Sequence, residues 1–575
     1  MNIIETLQNT VQKALKELGI EAKEVIIEHP ADLANGDYST NVALIYSKEL
    51  KLKPIEFAKR IKDILDVQKI EYIDKIEVAG AGFINFYLSK DFFEENIKEI
   101  LKQKEKFGSS DLGKKRKVIV EYSSPNIAKP FTIGHLRSTI IGDSVANTLE
   151  FLGYKVIRDN HLGDWGTQFG KQIVAIKHWS SIDVIKKSEN QMKALVGLYV
   201  KFHREAEKDP TLDDEAREWF LKLEKGDKEA REIYDMTVEA SMKYFNMIYE
   251  RLGIKPFDTL YGEAFYEPML KSVLEDIEKS GIAKESEGAK LIFFENEKYP
   301  PLMIQKKDGA TLYATRDLAT DKYRSQKYGK DTLVINETGT EQSLYFKQIF
   351  EIDEMLGYFD KKNRVHIGHG FIRSKDGKMS TRKGNVIWLE EVLDEGIMRA
   401  KVINEDTADM VGIGAIKFND LKREASQNII FDWDEIVNLK GDSGPYLQYS
   451  CVRAKSILQK SSFHMKEFLS ALPSLRGLRH GTKILSYGTM YTAPLERLLY
   501  RFPEVVSRAG KEYASHFIAQ YLLELASAFN NYYAQNKIVD ENDPTSVHKV
   551  ALTHAFSIVI ANGLNLLGIK VPDRM

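Results

Sequence analysis

The chain has 575 residues, enough for about three to five domains of ordinary size. Its 82 lysines and arginines nearly balance 84 aspartates and glutamates, and the net charge of −2 excludes a uniformly basic, histone-like polycation. A local basic patch can still bind nucleic acid, so that class stays open. The single cysteine, Cys451, excludes an internal disulfide framework and a cysteine-based zinc cluster, and it fits a reducing cytosol.

Residues 1–110 are predicted to form a small α+β domain. Its first helix has apolar residues at helical spacing, namely Ile4, Leu7, Val11, Ala14, Leu15 and Leu18. A helix on a membrane surface is the alternative, although its polar face mixes Glu with Lys instead of being basic. Next come a strand-like VIIEH, a helical stretch from Asn41 to Ile64, the β-rich IEYIDKIEVA and GFINFYL, and a charged helix. We find no signal-peptide pattern and no apolar run long enough to span a bilayer, so we expect no membrane partner.

After a linker, GSSDLGKKRK, a parallel-sheet domain is predicted over residues 111–375. VIVEY is a short apolar strand, and KVIRD follows it after one helix. This strand–helix–strand order indicates a parallel βαβ unit, and such sheets bind ligands beyond the carboxyl ends of their strands. Charged helical sequence at about 171–253 is interpreted as an insertion, after which strand-like LIFF, PLMI, TLVIN and RVHIGHGFI return.

The remaining sequence is divided into a loop and connecting region at 376–441 and a helical domain at 442–575. One apolar stripe in the helical domain is formed by Phe517, Tyr521, Leu525, Phe529 and Tyr532. The predicted fold class is therefore α/β. It has a Rossmann-like catalytic domain with a helical insertion, an N-terminal α+β domain and a C-terminal all-α domain.

One loop with candidate phosphate-binding residues, SPNIAKPFTIGHLRST, runs from Ser124 to Thr139. It leads into a helix N-terminus, where free backbone N–H groups and the helix dipole attract anions. Gly134 leaves room for a flat base or ribose, while Lys129 and His135 can donate hydrogen bonds to phosphate oxygens. A capped helix start with an incidental histidine is the alternative.

A second loop, from Lys375 to Lys383, concentrates positive charge in Lys375, Lys378, Arg382 and Lys383. Its flanking glycines make it suited to closing over a polyphosphate. A solvated basic turn is the alternative, and the loop alone is a weak signal.

Together the two loops resemble the signatures of class I aminoacyl-tRNA synthetases. TIGH resembles the HIGH motif and KMSTRKG resembles the KMSKS motif, in the expected order. Within that class, SPNIAKP, HLGDWGTQFGK, TLYATRD, GPYLQYSCVRAKSIL and GLNLLGIKVPDRM are similar to the arginyl-tRNA synthetase family. HPADLANGDYSTNVAL and GFINFYL resemble that family's N-terminal tRNA-binding domain, so the resemblance covers essentially the whole chain.

The resemblance implies a ligase that converts L-arginine and ATP to arginyl-adenylate and pyrophosphate. The ligase then transfers the arginyl group to the 3′-terminal adenosine of tRNA(Arg) and releases AMP. In-line attack of a carboxylate on the α-phosphate needs no protein nucleophile, so positioning and charge stabilisation carry the reaction. The expected cofactor is ATP with Mg²⁺ bound largely through the phosphates, without a structural metal. We expect a cytoplasmic monomer.

For catalysis, the resemblance assigns His135 to the second His of HIGH and Lys378 to the first Lys of KMSKS. Thr132 replaces the first His of HIGH; it can donate one hydrogen bond but has no cationic form. We predict that Lys129 supplies part of the missing positive charge. The implied ATP-binding residues are Gly134, His135, His366, Gly368, Lys378, Met379 and Ser380.

Arginine recognition needs carboxylates and carbonyl oxygens around a planar guanidinium. The family pattern places there Glu121, Ser124, Pro125, Asn126, His135, Tyr313, Asp317 and Gln342. The resemblance implies Asp317 as the guanidinium partner. Asp317 lies four residues after Tyr313, so on a helix the two would share a face. A helix cap or a partner of Arg316 is the alternative for Asp317. A lysine substrate could not form the bidentate pair, so no editing domain is expected.

For tRNA, the resemblance implies that the C-terminal domain grips the anticodon arm and the N-terminal domain touches the elbow. Aromatic stacking on unpaired bases is the physical reason. The candidates are Phe83, Asn85, Trp165, Tyr446, Tyr533 and Met575. Core packing is the alternative for each aromatic residue.

Three other classes fit parts of the sequence. A non-catalytic tRNA-binding paralogue would lose the two phosphate loops, which here keep Gly134, His135, Lys378 and Ser380. A HIGH-type nucleotidyltransferase that uses no tRNA is generally short and lacks a C-terminal helical domain. A cysteinyl-tRNA synthetase usually uses zinc thiolates, which one cysteine cannot supply.

Overall fold

The computed structural model describes residues 3–374, 387–460, 494–540 and 542–575. The chain forms two compact units, and each is assembled from segments distant in sequence. Unit 1 contains Met1–Phe107, Ile457–Phe502 and Ser527–Val559. Unit 2 contains Gly108–Ser456, Pro503–Ala526 and Ile560–Met575. The four domain boundaries drawn from the sequence stay a prediction.

The N-terminal part of unit 1 is an antiparallel sheet packed against helices. Its elements are α1 (Ile3–Glu17), β1 (Tyr38–Thr40), α2 (Val42–Tyr46), α3 (Pro54–Gln68), β2 (Ile73–Ala79), β3 (Phe83–Leu88) and α4 (Lys90–Gln103). Strand β3 lies between β1 and β2. The predicted first helix is confirmed, because α1 buries its apolar face at Leu7, Val11 and Leu15.

Two local predictions in this region were wrong. VIIEH is not a strand; within it only Glu28 pairs, through a single bridge to Ser39. The helical stretch from Asn41 to Ile64 is two helices, since Lys53 is extended and Pro54 starts a new helix at its first position.

Residues near the end of unit 1's middle segment complete the core of its N-terminal part. The Tyr500 ring lies 5.4 Å from Phe92 and 5.9 Å from Tyr38, between ring centroids. Arg497 donates from Nη1 to the carbonyl oxygen of Leu33 at 2.7 Å. Tyr500 is 5% exposed, so this aromatic side chain belongs to a core built mostly from residues before 94.

Unit 2 contains the predicted βαβ unit, followed by helices. Its first elements are β4 (Lys117–Glu121), α5 (Ile133–Phe151), β5 (Lys155–Asp159), α6 (Thr167–Trp179), α7 (Ile182–Lys186), α8 (Gln191–Ala206), α9 (Thr211–Glu224), α10 (Lys228–Leu252), α11 (Glu263–Tyr266) and α12 (Leu270–Ser280). The helices α6 to α10 correspond to the predicted insertion. Helix α10 ends at Gly253, whose left-handed backbone (φ 67°) forms its C-cap.

Two sheets follow in unit 2. The elements are β6 (Ala283–Ser286), β7 (Ala289–Ile292), β8 (Leu302–Gln305), α13 (Tyr313–Tyr328), β9 (Leu333–Gly339), α14 (Ser343–Leu356), β10 (Arg364–His369) and β11 (Ile372–Ser374). The order β10-β9-β4-β5 is parallel throughout, which confirms the Rossmann-like prediction. The strands predicted at LIFF and PLMI belong instead to the separate antiparallel sheet β6-β7-β8.

The C-terminal part of the chain is mostly helical, as predicted. Its elements are α15 (Leu389–Ala400), α16 (Ala408–Leu421), β12 (Ile429–Phe431), α17 (Trp433–Ile436), α18 (Gly444–Lys460), α19 (Pro494–Leu499), α20 (Phe502–Glu512), α21 (His516–Gln535) and α22 (Ser546–Leu566). Strand β12 pairs with β11 in parallel. Short 3₁₀ turns lie at Leu33–Asn35, Lys104–Lys106, Glu267–Met269, Glu295–Glu297, Thr340–Gln342 and Lys361–Asn363.

Helix α22 corrects the expectation that no apolar run is long enough to span a bilayer. By length and composition it passes that test, with a mean hydropathy of 1.2 over its most apolar 18 residues. However, 72% of that window is buried within the structure, as in the core helix of a folded domain.

Lys417 on α16 joins three parts of unit 2. Its ammonium donates to the carbonyl oxygens of Leu252 (2.9 Å) and Gly568 (2.7 Å), at the ends of α10 and α22. Burial lowers the pKa of Lys417 to about 8, and the charge of Asp143 on α5 partly opposes this shift. Lys417 therefore satisfies helix ends that would otherwise be buried without a donor.

We predict that Lys417→Met lowers the free energy of unfolding by about 3–5 kcal/mol, because it leaves buried carbonyls and the Asp143 carboxylate uncompensated. Urea unfolding measures the loss. Lys401→Met, at an exposed lysine, is the matched control and should change stability by less than about 0.5 kcal/mol. Equal stability of Lys417→Met and wild type would contradict this role.

The same variant tests the pKa. Since the folded-state pKa of Lys417 is about 8 and its usual value is 10.5, the unfolded chain binds more protons between these values. Stability from this group therefore rises with pH across that window, and the Met variant should lack this rise.

Candidate active site

The loop between β4 and α5 is held in a strained conformation by a side chain of the insertion and by the side chain of the residue that follows β5. Ser123 and Ser124 have positive φ values of 73° and 44°. The Ser124 N–H donates to Asn160 Oδ1 (3.1 Å), and the Ser123 hydroxyl contacts Tyr249 of α10 (2.8 Å). The Ser124 hydroxyl itself is buried without a hydrogen-bond partner among the described residues. The loop thus has a fixed backbone, and the Ser124 hydroxyl is available to bind a ligand.

Asn126 and Gly163 lie in direct contact on the floor of this loop. The Gly163 N–H donates to the carbonyl oxygen of the buried Pro125 (3.2 Å), and its own carbonyl accepts from Ile127 (3.0 Å). A Cβ atom on Gly163 would lie 2.4 Å from Asn126 Oδ1, so only glycine leaves room for this amide. The GDWG sequence therefore forms the wall against which Asn126 is placed.

Thr132 caps helix α5 and orients His135. The Thr132 hydroxyl accepts from the Gly134 N–H (3.3 Å), and the Thr132 N–H donates to His135 Nδ1 (3.0 Å). Because Nδ1 accepts, the neutral imidazole carries its proton on Nε2. Burial lowers the pKa of His135 to about 4, and the positive charges of His369 and Lys129 lower it further. His135 is thus a neutral Nε2–H donor at the helix N-terminus.

Lys129 lies near His135 and is half-buried. Burial lowers its pKa, while the Glu263 carboxylate opposes that shift. No ion pair to its ammonium is found among the described residues. The structure therefore places a lysine near the histidine, as its predicted role requires, and that role stays a prediction.

Asp317 lies on the second turn of α13 and accepts a hydrogen bond from the Tyr345 hydroxyl. Burial raises the pKa of Asp317 to about 7, partly offset by the charge of His161 and by the Tyr345 bond. No lysine or arginine pairs with Asp317 among the described residues. A buried carboxylate of this kind gains a favourable partner when a cation binds.

Tyr313 contacts Tyr345, the hydrogen-bond partner of Asp317, and Gln342 precedes Tyr345 by three residues. Tyr313 is the first residue of α13 and is 58% exposed, with its ring 5.0 Å from that of Tyr345. Gln342 is exposed and precedes α14. Both side chains are exposed and therefore accessible to a ligand.

Glu121 already has a cation partner inside the protein. Its carboxylate accepts from Arg324, whose Nε donates to Asp159 at 3.1 Å. Burial raises the pKa of Glu121, but the charge and hydrogen bond of Arg324, together with His161 and Asn336, outweigh burial and the net shift is downward. Glu121 thus lies beside the predicted arginine site as an ionised carboxylate that shares Arg324 with Asp159.

His366 and Gly368 lie on β10, an edge strand of the parallel sheet. His366 Nε2 is 2.8 Å from the Thr338 hydroxyl, and its ring stacks on Phe346 at 4.6 Å. Burial lowers the pKa of His366 to about 4, so it is neutral. Both residues also line a cavity of ≈ 480 Å³ along the strand. Lys378, Met379 and Ser380 lie outside the described residues.

The predicted tRNA-binding residues do not form one cluster. In unit 1, Phe83 and Tyr533 are 42% and 40% exposed, while Asn85 is buried and accepts from Ser39 (2.7 Å). In unit 2, Trp165 packs against Phe220 and Tyr234, Tyr446 is half-buried, and Met575 packs against α15 and α16. Core contacts thus account for several of these side chains.

The sequence pattern did not indicate Asn160, Tyr249, Arg324 or Tyr345. The only available signal concerned Arg324, which follows Asp317 by seven residues and so lies on the same face of α13. The other three reach the site from elements distant in sequence. Among the described residues, no group of three His, Cys, Asp or Glu side chains could hold a metal ion.

A family model described as tRNA synthetases class I (R), catalytic domain, matches residues 96–433. Together with the parallel sheet and the capped helix at its carboxyl edge, this match defines the catalytic region as that of a class I aminoacyl-tRNA synthetase. Models described as Arginyl tRNA synthetase N terminal domain and DALR anticodon binding domain match residues 5–88 and 447–575.

The comparisons extend over the full length of the chain. An arginine–tRNA ligase of Halothermothrix orenii is 38% identical, with 99% of each chain covered. The crystal structure of arginyl-tRNA synthetase from Plasmodium falciparum is 26% identical, with a TM-score of 0.80 and coverage of 100% of this chain and 99% of that one. The Thermus thermophilus arginyl-tRNA synthetase structure is 25% identical, with a TM-score of 0.79 and coverage of 99% and 100%. The chain belongs to the arginyl-tRNA synthetase family, which confirms the family and fold class expected from the sequence.

Asp317 gives the site a pH dependence. Only the ionised carboxylate pairs with a guanidinium, so kcat/KM for arginine should rise as pH increases through about 7 and then level off. Asp317→Asn should remove this step and lower kcat/KM for arginine on the order of a hundredfold, since a buried charge pair loses one partner. The KM for ATP should change little.

Steady-state pyrophosphate exchange measures both constants across pH. Asp331→Asn, at an exposed aspartate before β9, is the control and should behave as wild type. Equal increases of the two Michaelis constants in Asp317→Asn would refute the assignment.

Proposed function

We propose that this chain charges tRNA(Arg) with L-arginine at the carboxyl edge of its parallel sheet. Membership of a family of arginine–tRNA ligases supports the reaction, in which ATP is cleaved to AMP and pyrophosphate during translation. The observation that carries the assignment to this site is Asp317, a partly buried carboxylate with no lysine or arginine partner among the described residues.

The substrate guanidinium would pair with Asp317, with Tyr345 holding the carboxylate in place. Ser124 and Asn126, on the fixed loop after β4, would bind the α-amino and carboxylate end of arginine. This orientation directs the substrate carboxylate towards the N-terminus of α5, where His135 donates from Nε2. A carboxylate held there can attack the α-phosphate in line without a protein nucleophile.

ATP would bind between the N-terminus of α5 and strand β10. The free N–H groups and dipole of α5 favour the phosphates, and His135 adds a directed donor without adding charge. We propose that Mg²⁺ binds with ATP mainly through phosphate oxygens, and that Lys378, Met379 and Ser380 contact ATP from the loop that contains them. We also propose that the enzyme works as a monomer in the cytoplasm.

The function is tested by pyrophosphate exchange with each of the twenty amino acids, with and without tRNA. Arginine alone should support exchange above background, because only a guanidinium forms the bidentate pair with Asp317. Comparable exchange with lysine, or none with arginine in the presence of tRNA, would contradict the proposal.

Lys129 is tested by Lys129→Ala in the same assay. Removing a positive charge near His135 should lower the exchange rate about tenfold to a hundredfold, since a hydrogen bond from a charged donor contributes roughly 1.5–3 kcal/mol. Lys114→Ala, in the linker before β4, removes an equivalent charge elsewhere and serves as the control. Near-normal exchange in Lys129→Ala would refute this role.

A further inference from the structure

His369, the last residue of β10, lies at the edge of the sheet where α5 begins. Arg137 of α5 donates from Nη1 to the carbonyl oxygen of Gly370 (2.9 Å). Ser138 donates to the carbonyl oxygen of Glu337 on β9 (3.3 Å). These two bonds fix the early turns of α5 directly against the ends of β9 and β10.

His369 forms an ion pair with a fully buried carboxylate. Its Nδ1 is 2.8 Å from Glu337 Oε1, and the Glu337 side chain is 0% exposed while that of His369 is 15% exposed. Burying a carboxylate is costly unless a cation compensates it. The pair therefore favours the imidazolium, whose remaining N–H, on Nε2, has no hydrogen-bond partner among the described residues.

Among the described residues, the charged and titratable groups that act on His369 lie on α5, α16, β9 and β10. Burial lowers the pKa of His369, but Glu337 outweighs burial and the net shift is upward; Asp420 adds to the rise and Arg137 opposes it. His369 in turn lowers the pKa of both His135 and His366. A histidine whose pKa is raised therefore lies near two histidines whose pKa values are lowered.

Thr132 cannot supply this charge. It occupies the position of the first histidine in the HIGH-like motif, and its hydroxyl is used to cap α5. The HIGH-like motif thus contributes no cation to the N-terminus of α5. Lys129 precedes the motif, and β10 brings His369 close to it.

We propose that His369 is a further catalytic residue: its imidazolium, held by Glu337, binds the phosphates of ATP through Nε2–H, beside His135. Glu337 is a positioning residue. The inference rests on the proposed function, since it assigns the phosphate site of that reaction.

The first test is His369→Gln, which keeps a hydrogen-bond donor for Glu337 but removes the charge. We expect the Kd of Mg²⁺–ATP, measured by calorimetry, and kcat/KM for ATP in arginine-dependent exchange to worsen roughly tenfold to a hundredfold. The KM for arginine should stay within about twofold, and a thermal unfolding curve checks that the variant is folded.

The second test is the pH profile of kcat/KM for ATP at saturating arginine. For wild type it should fall as pH rises through the raised pKa of His369, above 6.5, because the imidazolium is lost. His369→Gln should lack this step, and Glu337→Gln should move it to lower pH. The ionisation of ATP itself is common to all variants and cancels in their ratios.

His178→Gln is the matched control, because His178 forms an exposed pair of similar length (2.9 Å) with Glu215 in the insertion. It should leave every constant unchanged. ATP binding by His369→Gln within twofold of wild type, or equal losses for ATP and arginine, would overturn the proposal.

The calorimetric measurement distinguishes failure of the proposed function from failure of the role of His369. If wild type binds ATP but shows no arginine-dependent exchange, the proposed function fails, while loss of ATP binding in His369→Gln still supports the histidine. If wild type is active and His369→Gln is unimpaired, only the role of His369 fails.

Discussion

The guanidinium of Arg324 fixes the end of the central sheet on which the site depends. It joins Glu121 at the end of β4 to Asp159 at the end of β5, two neighbouring parallel strands. A buried cation between two carboxylates sets their spacing and offsets their repulsion, and it does so only while all three stay together. The loops that leave these strands carry Ser124, Asn126 and Asn160, so their placement follows from this contact.

The same ion pairs distinguish Asp317, the predicted partner of the substrate guanidinium, from its neighbouring carboxylates. Arg324 pairs with both Glu121 and Asp159, whereas Asp317 on the same helix has, among the described residues, a tyrosine hydroxyl as its side-chain donor and no cation. An enzyme for a cationic amino acid needs such an imbalance, because the substrate must supply the missing charge. Asp317 is held in place by neutral hydrogen bonding, so its negative charge remains available to a ligand.

Much of the fold could be predicted, because strand and helix periodicities are local. The βαβ unit, the insertion and the helical C-terminal part were visible in this way. The failures are non-local: VIIEH has strand composition but only one backbone bridge, and LIFF and PLMI form strands whose partners no local pattern identifies. In the site, motif positions such as His135 and Asp317 were accessible from sequence. Arg324 lies 203 residues from Glu121, so no local pattern in the sequence predicts their pairing.

The position of Tyr500 in the core of unit 1 has a consequence for how the chain is made. Residues 1–107 leave the ribosome first, yet one of the aromatic rings packed among them is translated some 400 residues later. Until Tyr500 is translated, Phe92 and Tyr38 lack their native contacts with its ring. This core can be completed only after Tyr500 is translated, near the end of synthesis. Bringing Tyr500 to the N-terminal residues then closes a long loop, which has an entropic cost and slows the step. The N-terminal part of the chain therefore begins folding early and is completed late.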